Sequence, residues 1–422
     1  MPALSDRKKR WQLLQRLLCR YIAGRFSLTA EPCRVDGPCL IVANHVTNLD
    51  PLLLAASFPD TPVRFVASEH LFRLGLLSDV IEWAVAPIPR RKAASGADTV
   101  KAVLRALKAG ETVCIFAEGD ATWDGLTHPV FPATGKLARA AGVPLVTYRL
   151  EGGYLSLPRW SNKLRRGRMR GAPVGIYKPE ELKKRKGAEI TALIDRDLFE
   201  DAFDRQKKEH VAFRAENRAV GIERGFFICP SCGRPGSVRG VGNRILCGCG
   251  LNLFYTEEGF FDPPTPVATP AEWEACQQAA LRKLIHNAGG VLFSDGGLRI
   301  ARIESGHRET ALGAGILYQH PDALEIAGHR FPLHMIDSMA MVMADILLFS
   351  VGNEYYEIRA CAPCCLRKYL LTWELKTEEE SAWTILPQTQ PYGTSSFSSA
   401  SSPGRSFCAT CSETALRSSE TP

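Results

Sequence analysis

Short β-branched apolar runs alternate with helical patterns over about residues 35–150 of the chain. The runs are LIVA at 40–43, VRFVA at 63–67, TVCIF at 112–116 and PLVTY at 144–148, and a helical pattern occupies 96–109. Apolar runs that do not alternate with polar residues are typical of strands covered on both faces of a sheet. The alternation therefore predicts an α/β layered fold.

The rest of the chain changes pattern several times. A charged helical segment at 178–214 precedes a cysteine-rich patch, short alternating strands fill 289–369, and a Ser-, Thr-, Pro- and Gln-rich stretch follows. Such a polar stretch cannot bury enough apolar surface to fold. We predict five parts: a helix at 1–30, an α/β domain at 31–215, a metal-binding unit at 224–256, a small mainly-β domain at 285–372 and a disordered tail at 378–422.

Composition limits what the chain can do. With 422 residues, of which 45% are hydrophobic, two or three domains are expected. The net charge of +7 is concentrated in basic clusters at 7–10 and 163–170, which suit a membrane or a nucleic acid equally. We see no signal peptide and no apolar stretch of about 18 residues, so we expect a cytoplasmic protein that does not span a bilayer.

The stretch NHVTNLD at 44–50 places polar residues between two apolar runs. His45 would lie at the end of a strand, where α/β folds carry their chemistry. Asp50, followed by Pro51, has two interpretations. It can be the N-cap of a helix, or it can accept the Nδ1 proton of His45, leaving Nε2 free to take a proton from a substrate hydroxyl. Spacing alone leaves both open.

Three further stretches follow in order: APIPRRK at 86–92, FAEGDATWDG at 116–125 and FPATGKLARAAGVPLV at 131–146. Together with NHVTNLD, they resemble the four motif blocks of the 1-acyl-glycerol-3-phosphate acyltransferases. The resemblance covers about residues 10–205. It implies an α/β acyltransferase domain with a mixed sheet flanked by helices, of the kind used in bacterial phospholipid synthesis.

The resemblance also implies an activity and its residues. A fatty acyl group would pass from an acyl thioester, acyl-CoA or acyl-carrier protein, to the free hydroxyl of 1-acyl-glycerol-3-phosphate, making phosphatidate. His45 would be the base, oriented by Asp50, and Arg90 would contact the phosphate. The residues assigned to substrate binding are Asn44, Arg90, Arg91, Glu118, Gly119 and Lys136.

One block departs from the family pattern. Where the family commonly has Pro, Thr and Arg, this chain has Ala117, Asp120 and Ala121. Losing an arginine beside a new acid lowers the positive potential where a phosphate would bind. A different lysolipid or an amino-lipid is therefore an alternative acceptor.

The N-terminal stretch RKKRWQLLQRLLCRYIAGRF predicts a basic amphipathic helix at a membrane interface. Its expected apolar face consists of Trp11, Leu14, Leu17, Leu18, Tyr21 and Ile22. An ordinary helix packed on the domain is the alternative, because periodicity reports only that one face is buried. Residues 71–83 are a second candidate for bilayer contact. Together these features predict peripheral attachment to the cytoplasmic membrane, with anionic lipids as partners.

Two cysteine pairs, Cys229 with Cys232 and Cys247 with Cys249, are each followed by glycine. Four thiolates in this pattern predict a closed structural zinc site, a zinc ribbon. We expect no second site among Cys361, Cys364, Cys365, Cys408 and Cys411. A zinc ribbon with basic clusters is also a nucleic-acid-binding profile, but we expect no nucleic-acid partner because that function would leave the four blocks unexplained. The small β domain weakly resembles pleckstrin-homology-like or GRAM-like modules.

Overall fold

The computed structural model describes residues 4–73, 76–90, 96–304, 308–361 and 364–385 of the chain. Arg91, Cys408 and Cys411, together with residues 386–422 of the predicted tail, lie outside these ranges.

The chain begins with a helical stretch that leads into the α/β domain. Its parts are α1 (Leu4–Leu14), a π-helical turn (Gln15–Cys19) and α2 (Arg20–Arg25). The strands that follow are β1 (Leu28–Ala30), β2 (Leu40–Ala43), β3 (Val63–Ser68), β4 (Ile88–Arg90), β5 (Thr112–Phe116), β6 (Leu145–Glu151) and β7 (Met169–Tyr177). The helices are α3 (Asp50–Ala55), α4 (Leu76–Val85), α5 (Ala97–Lys108), α6 (Ala133–Ala141), α7 (Gly153–Ser156), α8 (Pro179–Lys183), α9 (Gly187–Leu198) and α10 (Ala202–Glu209).

These strands form one mixed sheet in the order β1-β7-β6-β2-β5-β3-β4. The five strands from β6 to β4 are parallel, β7 runs antiparallel to β6, and β1 is parallel to β7. Alternate residues of β2 enter different cores: Ile41 and Ala43 join one apolar cluster, and Leu40 and Val42 join the other. The predicted α/β sheet, buried on both faces, is therefore confirmed.

A small antiparallel sheet follows, in the order β11-β10-β9-β8. Its strands are β8 (Val238–Val241), β9 (Arg244–Cys247), β10 (Asn252–Tyr255) and β11 (Phe261–Asp262). Helix α11 (Pro270–Asn287) comes next and was not predicted. The hydroxyl of Thr269 caps it by accepting the N–H of Glu272, and Pro270 occupies the first turn.

The C-terminal domain is a seven-stranded antiparallel sheet in the order β15-β14-β13-β12-β18-β17-β16. The strands are β12 (Phe293–Ile303), β13 (Glu309–Gln319), β14 (Ala323–Ile326), β15 (His329–Pro332), β16 (Ser338–Val342), β17 (Ile346–Val351) and β18 (Glu354–Ala360). The mainly-β prediction is confirmed, and the likeness to pleckstrin-homology or GRAM modules stays a prediction.

Helix α12 (Arg367–Ile385) ends the described chain and runs into the region predicted to be a disordered tail from 378. That boundary was placed too early. Leu375 is buried against the domain, and Arg282 of α11 donates to Glu378 at 2.8 Å, so the helix is held by contacts that local composition does not reveal.

One large apolar cluster joins the C-terminal domain to the small antiparallel sheet and to the α/β domain. It contains Trp123 and Trp160 from the α/β domain together with Ile245, Trp273 and Phe349. The loop after β5 is therefore packed into the C-terminal core.

Candidate active site

The carboxyl ends of the parallel strands bring the motif residues together. His45 follows β2, Arg90 is the last residue of β4, and Glu118 follows β5. Because these strands are parallel, their ends meet at one edge of the sheet, where α/β folds place their sites.

Asp50 is fully buried and is surrounded by donors. Its carboxylate accepts the N–H of Val46 at 2.6 Å, the N–H of Thr47 at 3.0 Å and the hydroxyl of Thr47 at 2.8 Å. These bonds fix the turn between β2 and α3. They also offset the cost of burying a negative charge.

The N-cap interpretation of Asp50 is wrong. Helix α3 begins at Asp50 itself, its N-cap position is Leu49, and no side chain caps it. The carboxylate turns back to the preceding N–H groups of Val46 and Thr47 and to the imidazole of His45. A carboxylate engaged there is not available to the N–H groups of the following turn.

Nδ1 of His45 lies 2.8 Å from Oδ2 of Asp50. Because a buried carboxylate accepts there, the proton belongs on Nδ1, and Nε2 is the basic nitrogen. The ring stacks on Phe116, with centroids 4.7 Å apart and an interplanar angle of 29°, and its side chain remains 19% exposed. The imidazole is thus fixed in orientation while one edge remains open to a substrate.

Asn44 has both ends of its amide engaged in the sheet. It donates to the carbonyl of Leu150 at 2.9 Å and accepts the N–H of Leu150 at 2.7 Å, and its side chain is buried. This amide ties the end of β2 to β6. Its predicted contact with substrate stays a prediction.

Glu118 supports the backbone of His45 from the neighbouring strand end. Oε1 accepts the N–H of His45 at 2.6 Å, and Oε2 accepts the N–H of His128 at 2.8 Å. Burial raises the pKa of Glu118 to about 8, although both hydrogen bonds act to lower it. The N–H of Thr122 donates to the carbonyl of His45 at 3.0 Å, so the loop after β5 holds both backbone polar groups of His45.

Gly119, Phe131 and Arg90 pack in a row. Gly119 has φ +88°, and a Cβ there would lie 2.6 Å from Cζ of Phe131. The Arg90 guanidinium lies over the same ring, 4.7 Å from its centroid. Burial lowers the pKa of Arg90, and nearby Asp120 partly offsets this effect. Glycine is required here because the loop meets the aromatic ring that supports the phosphate-binding candidate.

The substituted part of the loop has a partner that the sequence did not reveal. Asp120 lies 2.9 Å from Nη1 of Arg159, whose guanidinium is 4.4 Å from the centroid of the Trp123 ring. Arg159, a cation from another part of the chain, thus lies beside Asp120. The charge of Asp120 is balanced within the fold.

Other predicted residues lie outside this cluster of contacts. Lys136 is exposed on α6, with its stem close to Gly187 at the start of α9, and Arg91 is outside the described residues. Their substrate roles stay predictions. Cys114 is buried in β5, and burial raises the pKa of its thiol well above the usual value, which agrees with a structural thiol.

An ion pair that was not predicted from the sequence lies beside Glu118. Nε2 of His128 lies 3.3 Å from Oδ1 of Asp124. This contact raises the pKa of His128; burial alone would raise that of Asp124, but the bonds from His128 and Thr122 outweigh it and lower the pKa. The sequence contains a signal for this pair, since Asp124 lies in the block FAEGDATWDG and His128 follows it at i, i+4 spacing.

The four predicted zinc ligands come together beside the small antiparallel sheet: Cys247 ends β9, and the other three lie in loops next to the strands. Their Sγ atoms all lie within 4.8 Å of one another, with Cys229 3.7 Å from Cys249 and Cys232 3.9 Å from Cys247. A zinc–sulfur bond of about 2.3 Å gives a tetrahedral edge of about 3.8 Å. The donor set therefore fits a closed tetrahedral zinc site. Cys361, Cys364 and Cys365 do not join a metal-ligating group in the described ranges.

The fold and the site define a class: an α/β domain with a histidine, oriented by a buried carboxylate, at the carboxyl edge of its sheet. Residues 25–151 match the acyltransferase family model. These residues therefore form an acyltransferase-family domain, and the resemblance recognised from the motifs is confirmed at that level.

Two curated relatives agree with this assignment. The chain is 31% identical over 150 residues to the chloroplastic 1-acyl-sn-glycerol-3-phosphate acyltransferase BAT2 of Brassica napus, covering 34% of this chain and 41% of that one. It is 30% identical over 124 residues to a probable 1-acyl-sn-glycerol-3-phosphate acyltransferase of Mycoplasma genitalium, covering 27% of this chain and 44% of that one. The chain thus spans about two-fifths of the length of the curated relatives it matches.

A solved structure is also similar. The 1-acyl-sn-glycerophosphate acyltransferase PlsC of Thermotoga maritima aligns with a TM-score of 0.40 and 19% identity, covering 50% of this chain and 85% of that one.

Proposed function

We propose that this protein transfers a fatty acyl group from an acyl thioester to the free hydroxyl of 1-acyl-glycerol-3-phosphate, making phosphatidate. The observation that carries the proposal is the 2.8 Å contact of Nδ1 of His45 with buried Asp50 inside an acyltransferase-family domain. The names of the two relatives support the choice of acceptor.

In the proposed reaction, the acceptor hydroxyl gives its proton to Nε2 of His45 as its oxygen attacks the thioester carbonyl carbon. The new C–O bond forms, the C–S bond breaks, and the departing thiolate takes the proton back from His45. Asp50 stabilises the imidazolium that exists between these two proton transfers. No covalent acyl-enzyme is needed, and acyl-CoA or acyl-carrier protein serves as donor.

Charge balance around the loop supports a phosphate acceptor. The negative charge of Asp120 faces Arg159, and burial raises the pKa of Glu118 to about 8. Arg90, stacked on Phe131 and close to Asp120, is our candidate cation for the phosphate. The substituted block thus removes less positive potential than its sequence suggests.

Membrane attachment is the second part of the proposal. On the N-terminal helical stretch, Leu17 is 69% and Tyr21 is 62% exposed, and exposed Trp83 of α4 lies under Arg10 at 5.1 Å. No helix in the described part of the chain is both long and apolar enough to cross a membrane. We propose peripheral attachment to the cytoplasmic membrane through these side chains, with the neighbouring arginines facing anionic lipid.

The predicted apolar face of this stretch needs a correction. Trp11 is buried and donates its indole N–H to the carbonyl of Phe58 at 2.8 Å, so it packs on the domain. Cys19 and Phe26 are also buried, in the same apolar cluster as Trp11. The exposed apolar side chains are Leu13, Leu17, Leu18 and Tyr21.

Contacts of the basic cluster at 163–170 argue against the nucleic-acid alternative. Arg165 is buried between Trp160 and Tyr255, while Arg168 and Arg170 pair with Glu209 at 2.8 and 3.0 Å. Arginines held in this way do not present a continuous phosphate-binding surface. In our proposal, zinc has a purely structural role.

An acceptor panel tests the proposal. Wild type on anionic liposomes receives one acyl thioester and equal amounts of lysophosphatidate, lysophosphatidylglycerol, lysophosphatidylethanolamine and an amino-lipid, and mass spectrometry measures each product. Phosphatidate as the main product supports the proposal. If another lysolipid or the amino-lipid gives the main product, that lipid is the acceptor. The substitution at Asp120 is the sequence feature that suggests this alternative.

A further inference from the structure

Arg159 connects two domains at the loop that supports His45. It follows α7 in the α/β domain, and only 2% of its side chain is exposed. On one side, its guanidinium pairs with Asp120 at 2.9 Å and donates to the carbonyl of Ala121 at 3.1 Å.

On its other side, the same guanidinium contacts the C-terminal domain. It donates to the carbonyl of Met341 on β16 and to that of Met343 in the turn before β17, both at 3.3 Å. Met343 has φ +54°, a conformation that few non-glycine residues adopt. The planar fork of one arginine thus holds a strained turn of one domain to a motif loop of the other.

Trp123 strengthens the same junction. Arg159 lies over its ring at 4.4 Å, and Arg367 of α12 lies over it at 4.9 Å. Arg367 is itself held by two bonds to Glu274, at 2.8 and 2.7 Å. The loop after β5 therefore has its aromatic anchor in the C-terminal core.

The loop in turn determines where His45 lies. Ala121, which accepts from Arg159, directly precedes Thr122, which donates to the carbonyl of His45. Glu118, at the other end of this segment, accepts the N–H of His45 at 2.6 Å. A shift of residues 117–122 would move the backbone of His45 with them.

We propose that Arg159 is a positioning residue that fixes residues 117–122 against the β16–β17 hairpin, making the C-terminal domain a structural part of the transferase site. The kinetic part of this inference rests on the proposed function. The alternative is that Arg159 only neutralises Asp120.

Four full-length variants separate these accounts. Arg159→Met removes the charge and all the hydrogen bonds, and Arg159→Lys keeps the charge but loses the planar fork. Asp120→Asn combined with Arg159→Met removes both partners of the ion pair, and exposed Arg166→Met is the matched control. The readouts are amide hydrogen exchange of residues 117–125 and 338–346 without substrate, and kcat and KM for lysophosphatidate.

We expect Arg159→Met, Arg159→Lys and the double variant all to exchange faster in both segments, with exchange of β7 unchanged as the sign of an intact sheet. We expect kcat to fall by about 10²-fold in each, because misplacing a base by about 1 Å costs that much, while KM changes far less. Arg166→Met should match wild type in both readouts.

Two results would overturn the inference. Wild-type exchange and kcat in the double variant would mean that Arg159 acts only by neutralising Asp120. In the Arg159 variants, faster exchange at 338–346 together with wild-type exchange at 117–125 would mean that the hairpin does not support the loop. If wild type acylates no lysolipid, the proposed function fails, and the exchange measurement still decides the role of Arg159.

Discussion

The carboxylate of Glu118 joins the backbone of His45 to that of His128, accepting their N–H groups at 2.6 and 2.8 Å. Burial raises the pKa of this carboxyl from 4.5 to about 8. Between pH 4.5 and about 8, Glu118 holds a proton in the folded protein that it has released in the unfolded chain. The free energy of unfolding contributed by Glu118 therefore falls as pH rises from about 4.5 to 8, and stays constant above that.

Glu118→Gln tests this relationship because an amide does not titrate. Denaturant unfolding of both proteins at pH 5 to 9 gives the difference in their free energies of unfolding, in which other titrating groups cancel. We predict that wild type loses stability relative to Glu118→Gln as pH rises to about 8. Parallel curves across this range would contradict the prediction.

Gly119→Ala should disrupt the row formed by Gly119, Phe131 and Arg90. The positive φ costs any alanine about 1–2 kcal/mol, and crowding against Phe131 adds about 1–3 kcal/mol. Gly142→Ala is the matched control, since Gly142 has φ +66° and nothing within 4 Å of a Cβ. Thermal unfolding should show a clearly larger loss for Gly119→Ala, and equal losses would refute the packing argument.

The cysteine cluster should hold one zinc ion per chain. We predict that Cys232→Ser and Cys249→Ser lose zinc, as measured by elemental analysis of purified protein, and that they unfold at lower temperature because structural zinc contributes folding energy. Cys361→Ser, an exposed cysteine outside the cluster, should retain zinc. Zinc-free wild type with an unchanged melting temperature would rule out a structural metal.

Replacing exposed Leu17 and Tyr21 with asparagine should weaken binding to anionic vesicles. Fully burying Leu17 in the interface would be worth about 1.5–3 kcal/mol, and loss of the Tyr21 ring adds to this, so a loss of at least tenfold in affinity is expected in sedimentation assays. Stability should change by about 0.5 kcal/mol or less, as at other exposed positions. Val291→Asn, an exposed apolar residue before β12, is the control; an equal loss there would argue against a specific membrane face.

Local patterns predicted four strands of the α/β sheet, β2, β3, β5 and β6, and the contact of His45 with Asp50. The run LIVA became β2 with its predicted bounds, and His45 meets Asp50 because five residues of chain already keep them close. Four cysteines with paired spacing also met as predicted. In each case, the interacting groups are close in sequence or repeat a pattern.

Long-range contacts were not predictable from local pattern. Arg159 reaches Ala121 over 38 residues and Met341 over 182, and no periodicity records such a pairing. Helical spacing identified apolar residues near Trp11 but did not reveal which side of the helix is buried. The N-cap prediction for Asp50 was wrong because the same residue type suits both an N-cap and a carboxylate that orients a histidine.

The most direct test is acyl transfer to lysophosphatidate by wild type, His45→Ala and His329→Ala on anionic liposomes, measured as phosphatidate by mass spectrometry. His329 is an exposed histidine on β15 and serves as the control. We predict that His45→Ala lowers kcat by about 10²–10⁴-fold, the usual contribution of a general base, while His329→Ala matches wild type. Transfer by His45→Ala at the wild-type rate would contradict the assignment of His45 as the base.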